Sequence, residues 1–154
     1  MLTQDLTPLK NMPLTKLDLG DCRQVQDLSP LKGMPLKSLT LYDCVQVRDL
    51  TPLQGLKLDL LNLGHCVQVH DLTPLKGMPL ATLFLNEGCG VTDLTALEGM
   101  PLEKLVFTPK NITKGIEDIR RITSLKMMGL TGDQNQLFPP EEFWKKYDAG
   151  EFSK

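Results

Sequence analysis

An α/β solenoid of short parallel strands and tight turns is the fold class this chain predicts, on three observations. A 22-residue unit recurs five times without insertion, opening at Asp5, Asp27, Asp49, Asp71 and Asp93. Each unit carries a Leu-x-x-Leu-x-Leu segment with the period-two alternation of a strand. Each also carries a limb punctuated by glycine or asparagine and, in most copies, proline, which leaves no room for a full helix. A fixed period of this length marks one supersecondary unit that buries its apolar face by stacking on its neighbours.

The limb opens each unit. Thr7-Pro8, Ser29-Pro30, Thr51-Pro52 and Thr73-Pro74 read as an N-cap hydroxyl followed by a residue preset for the first helical position. Gly33, Gly55, Gly77 and Gly99 follow, with Asn11 in the first copy, so a left-handed cap closes the limb after one 3₁₀-type turn. A second proline (Pro13, Pro35, Pro79, Pro101) then enforces extension. Met12, Met34, Leu56, Met78 and Met100 are expected to fill the space beneath the turn.

The strand follows. Leu17 and Leu19, with their equivalents down to Leu105 and Phe107, point to the core, while the residues between them face solvent. Cys22, Cys44 and Cys66 recur where the chain leaves the strand and read as a column of reduced, buried thiols donating weakly to a carbonyl of their turn. Reduced cysteine predicts a cytoplasmic setting. In the fourth copy Gly88 holds the cysteine position and Cys89 is displaced, so a local backbone change is expected there, licensed by Gly88 and Gly90.

Repeats are assigned to residues 1–112 and a C-terminal cap to 113–154. Within the cap, Thr113–Ile122 reads as a short amphipathic helix and Leu125-x-x-Met128-x-Leu130 as a sixth strand. A last helix starts at Pro139-Pro140 and ends before Gly150. Five of the eight aromatic residues fall between Phe138 and Phe152, as a terminal repeat that must cover its core requires. Met1-Leu2-Thr3-Gln4 is too short for a matching N-terminal cap, which predicts either a fragment of a longer chain or a first edge that pairs with a second molecule.

Leu-x-x-Leu-x-Leu-x-x-Cys over residues 5–112 resembles the leucine-rich repeat family. The period and the Asp-Leu-Thr-Pro-Leu limb are similar to the short repeats of bacterial internalins, and the cysteine column to cysteine-containing repeats. Such arrays also look like tracts of large planctomycete proteins. The near-identity of the copies equally fits a designed consensus array, against which stands the idiosyncratic C-terminal segment. The resemblance implies a shallow arc that binds protein ligands on its concave sheet.

Formal net charge is -2, which gives no general attraction to nucleic acid or anionic membranes. No apolar run is long enough to span a bilayer. The glycines are periodic caps rather than a phosphate-cradling loop, and cysteine and histidine lack zinc spacing, so no cofactor and no metal is expected. The concave face supplies the binding candidates: Lys16, Asp18, Asp21, Thr40, Tyr42, Asp43, Leu60, Asn62, His65, Phe84, Asn86, Glu87, Lys104 and Val106. Asp21, Asp43, His65 and Glu87 share one register as an acidic row interrupted by a histidine; Leu60, Phe84, Val106 and Met127 form an apolar patch. Tyr42 and Phe84 are the anchor candidates. A base at His65 with Asp43 and Glu87 beside it lacks a nucleophile, since Cys66 points inward, so the chain reads as non-enzymatic. A protein or peptide partner is expected; the alternative is a structural or assembly module that self-associates through the N-terminal edge.

Overall fold

The structure is a computed structural model that describes residues 4–153. Met1, Leu2 and Thr3, most of the stretch expected to leave the first repeat uncapped, lie outside the described residues. Strands β1 (Lys16–Asp18), β2 (Ser38–Thr40), β3 (Leu60–Asn62), β4 (Thr82–Leu85), β5 (Lys104–Phe107) and β6 (Met127–Gly129) pair in parallel, each with the next. The register puts Leu17 beside Leu39, then Leu61, Leu83, Leu105 and Met128. This is the solenoid the repeats predict, with the parallel sheet on one side and 3₁₀ turns on the other.

The leucine columns face inward as expected. Leu39, Leu61, Leu83 and Leu105 are buried, as are Leu41, Leu63, Leu85 and Phe107 beside them. The first repeat differs, because among the described residues its strand has a neighbour on one side alone. Leu14 and Leu17 are half-buried, and Met12, expected under the turn, is 40% exposed, while Met34, Leu56, Met78 and Met100 are buried.

Five single 3₁₀ turns form the opposite limb, at Thr7–Leu9, Ser29–Leu31, Thr51–Leu53, Thr73–Leu75 and Thr95–Leu97. Their capping corrects the sequence reading. The hydroxyl residue is the first residue of the turn, not its N-cap, and the residue before it is leucine. The cap comes from the aspartate two positions earlier: Asp5, Asp27, Asp49 and Asp71 Oδ1 each accept the turn's first amide at 2.8 Å, and Asp93 does so at 2.9 Å. A carboxylate two residues back closes an Asx turn, and a charged acceptor satisfies an orphan amide better than a hydroxyl can. The far end is as expected: Asn11, Gly33, Gly55, Gly77 and Gly99 have φ of 64, 72, 81, 73 and 69°.

The thiol column ties repeats together. Cys44 Sγ donates to Leu19 O at 3.1 Å and Cys66 Sγ to Leu41 O at 3.0 Å. The acceptor is thus the strand-end carbonyl of the preceding repeat rather than of the cysteine's own turn. Burial pushes the Cys44 thiol up to about 12 and the Cys89 thiol to about 11, and it raises Cys66 further. All four cysteines are free thiols. At the displaced Cys89 the backbone changes as foreseen: Gly88 takes φ +79°, and a Cβ on Gly90 would lie 2.4 Å from Val67 O.

At the C-terminal end, helix α1 (Ile116–Arg120) is shorter than the expected Thr113–Ile122. The ladder takes the missing residues: Thr113 N donates to Thr92 O at 2.8 Å, and Lys114 O accepts from Leu94 N at 3.0 Å. Gly115 (φ 87°) follows, where a Cβ would meet Thr95 N at 2.5 Å, so only glycine lets α1 close on the fifth repeat. Strand β6 lies where expected, and an unforeseen strand β7 (Leu137–Phe138) pairs antiparallel to it. Helix α2 (Pro140–Asp148) buries Phe143, whose ring centroid lies 5.6 Å from Phe107 and 5.0 Å from Phe152. Aromatic rings therefore cover the last repeat's core, as the composition implied.

Two outcomes follow from this packing. Leu61→Ala, in a fully enclosed column, lowers the unfolding free energy by roughly 2–5 kcal/mol, and Leu17→Ala clearly less; equal losses in urea denaturation contradict the column. The Asx carboxyls of Asp5, Asp49, Asp71 and Asp93 are held below their ordinary value by the threonine hydroxyl and then by its amide. Such groups stabilise the fold above their unfolded value of about 3.9 and lose that contribution as pH falls through the folded value. The denaturation midpoint accordingly drops from about pH 5 to about pH 2, and drops less in the Asp49→Asn, Asp71→Asn, Asp93→Asn triple variant.

Candidate functional site on the sheet face

Each strand of the first three repeats runs into a turn that returns the chain to the core. Cys22 N donates to Leu19 O, Cys44 N to Leu41 O and Cys66 N to Leu63 O, at 3.0–3.1 Å. The third residue of such a turn takes a left-handed conformation that suits glycine or asparagine. Here it is Asp21, Asp43 and His65 with φ of 62, 59 and 60°, and Glu87 continues the row at 55°. Among the described residues, Asn11 is the only other non-glycine residue with positive φ. Aspartate and histidine are among the residues that tolerate this region best after asparagine, whereas glutamate occupies it at a cost. The parallel ladder holds them there by continuing past the strand ends: Asp21 N donates to Tyr42 O at 2.8 Å, Asp43 N to Gly64 O at 3.0 Å and His65 N to Asn86 O at 3.0 Å. The result is a ridge of side chains on rigid backbone.

Side chains lock that ridge across repeats. Asp43 has a side chain 2% exposed, held between Arg23 Nε on one carboxylate oxygen and His65 Nδ1, 2.5 Å away, on the other. Burial alone would raise its pKa, but the hydrogen bonds from Arg23 and His65 outweigh that and hold the carboxyl below its usual range. Tyr42 lies across Gly64, where a Cβ would sit 3.0 Å from its ring, and its hydroxyl donates to Glu87 Oε2 at 2.7 Å. That hydrogen bond, with the Glu87 charge behind it, pushes the Tyr42 phenol up. The His65 ring lies 6.5 Å from Tyr42, centroid to centroid.

Lys16, Asp18, Asp21 and Glu87 are exposed, and Thr40, Tyr42, Leu60, Asn62, His65, Phe84 and Lys104 are half-buried. Three residues expected on the open face are buried. Asp43 is enclosed by Arg23 and His65. Asn86 Oδ1 crowds Gly64 alongside the Tyr42 ring. Val106 pairs in register with Phe84 on one side and Gly129 on the other, outside the leucine core. The chain beyond β6 leans back over that side of the sheet, with Gly132 against the Phe84 ring. The apolar patch is therefore Leu60, Phe84 and Met127, with Lys104 Nζ 5.1 Å above the Phe84 ring.

Two contributors escaped sequence reasoning. Arg23 stands where later repeats carry Val45 and Val67, and that change of residue type beside an aspartate column was the available signal. Gly64 shares a column with Gly20, Tyr42 and Asn86, and its missing side chain leaves the room that the Tyr42 ring takes. As for chemistry, His65 does pair with Asp43, but Glu87 is engaged by Tyr42, and the Cys66 thiol points inward with its pKa raised by burial.

No family model matches this chain, and no curated protein does. Among solved structures it is similar to internalin C2 from Listeria monocytogenes, with 25% identity and a TM-score of 0.49, covering 83% of this chain and 66% of that one. It is also similar to a second internalin of that species, InlF, with 20% identity and a TM-score of 0.45, covering 85% and 52%. The chain spans about two thirds of the one and about half of the other. Both likenesses are distant, and the architecture stands on this chain's own ladder.

Glu87→Gln keeps an acceptor for the Tyr42 hydroxyl but removes the charge. In a tyrosinate absorbance titration the Tyr42 pKa is then expected to fall back toward its ordinary value; an unchanged titration means that the Tyr42–Glu87 bond is absent in solution.

Proposed function

We propose that the chain is a non-catalytic recognition module that binds a protein or peptide on its sheet face. The observation that carries this reading is the ridge of Asp21, Asp43, His65 and Glu87. Its backbone is strained at Glu87, and the side chains of Asp43, His65 and Glu87 are fixed by one another, Arg23 and Tyr42 before any partner arrives. Strain concentrates where the surrounding structure over-determines a working surface, and preordered side chains lose little entropy on binding. Beside the ridge lie the half-exposed Leu60 and Phe84, an apolar patch rimmed by polar groups. The buried thiols support the non-catalytic reading, since protonated sulfur aimed at a main-chain carbonyl is a poor nucleophile. Thiols that work as hydrogen-bond donors also favour a reducing, cytoplasmic setting. No helix among the described residues is long and apolar enough to cross a membrane.

Paired variants test the face. Leu60→Lys with Phe84→Ala alters the sheet patch, and Lys32→Glu with Lys76→Glu alters the opposite limb. The sheet pair is expected to weaken capture of a protein partner by at least about tenfold while the limb pair leaves capture intact; the reverse result overturns the reading.

A further inference from the structure

The ridge carries a charge imbalance that specifies its partner further. Asp43 is matched by Arg23 and His65, but Asp18, Asp21 and Glu87 have no cationic partner among the described residues. The half-buried Tyr42 ring lies across Gly64, and its hydroxyl is tied to the Glu87 carboxylate. An aromatic face next to an unneutralised carboxylate attracts a cation through both the ring quadrupole and the charge.

The same molecule fills two comparable positions with its own cations. Arg120 lies 4.4 Å from the Trp144 ring centroid and 5.7 Å from that of Tyr147 while pairing with Asp148, and Lys146 lies 5.4 Å from the Phe138 ring centroid while pairing with Glu151. Tyr42 with Glu87 is the aromatic–carboxylate pair on the sheet face that has no such occupant among the described residues.

We infer that the protein partner presents an arginine or lysine whose charged head lies against the exposed part of the Tyr42 ring beside Glu87, drawn there by Asp18 and Asp21. This rests on the sheet-face reading and names the chemistry of its ligand. A neighbouring apolar group of the partner then meets Leu60 and Phe84.

The test is selection from a displayed random dodecapeptide library on the immobilised chain, with recovered sequences measured against Glu87→Gln, Tyr42→Leu and Phe84→Ala, each checked by thermal melting. Glu87→Gln retains the hydrogen bond to Tyr42, so a loss there is a loss of charge rather than of fold. The expected result is enrichment in arginine or lysine, with binding weakened at least about fivefold by Glu87→Gln and by Tyr42→Leu. Sequences lost on Phe84→Ala but without basic enrichment, or unaffected by Glu87→Gln, overturn this inference and leave the sheet face as the binding surface. Sequences that bind all three variants like the wild type, or a selection that recovers none, overturn both.

Discussion

Every feature of this molecule depends on a parallel backbone ladder that steps by one repeat at a time. Because Leu17, Leu39, Leu61, Leu83 and Leu105 stand side by side, each repeat encloses the leucines of the next. Enclosing one such side chain contributes about 2 kcal/mol, and a lone repeat has no second wall to enclose it. The thiols follow the same logic, for the carbonyl that accepts the Cys44 or Cys66 hydrogen belongs to the repeat before. Stacking is what satisfies these groups, so the array is cooperative between neighbours.

That ladder also creates the proposed binding face. By running past the strands into the turns it pins the amides of Asp21, Asp43 and His65. The turn's third residue is then left-handed whatever its side chain. Glycine would be the relaxed choice; the chain instead carries aspartate, histidine and glutamate, and links them through Arg23 and Tyr42. A scaffold that over-determines its turns tolerates such side chains in a conformation that glycine would adopt without cost. The Asp43 carboxylate illustrates the balance: burial opposes its charge, and hydrogen bonds from Arg23 and His65 outweigh that.

The two ends of the arc constrain the face unequally. Aromatic packing around Phe143 closes the last repeat, and the chain leading into that cap crosses toward Phe84 and leaves Val106 covered. Capping thus trims the apolar part of the surface at one end, while Asp21 and Glu87 of the ridge stay exposed.

Architecture was legible in this chain because it is written in local sterics repeated at a fixed interval. Alternation of leucines names the buried face, glycine or Asn11 marks each left-handed limb end, and Gly88 marks the one irregular turn. The concave register of Asp21, Asp43, His65 and Glu87 was readable for the same reason. What the local pattern could not supply was anything set by a second chain segment. Whether threonine or the preceding aspartate caps the limb depends on where the first turn amide falls once the repeats stack. Thr113 and Lys114 joined the ladder because Thr92 and Leu94 offered hydrogen bonds that outweighed a helical turn. The sequence by itself determined which residues line each column. Only the tertiary structure decided that Asp43, Asn86 and Val106 are enclosed, because exposure is a property of what neighbouring repeats and the cap bring within reach.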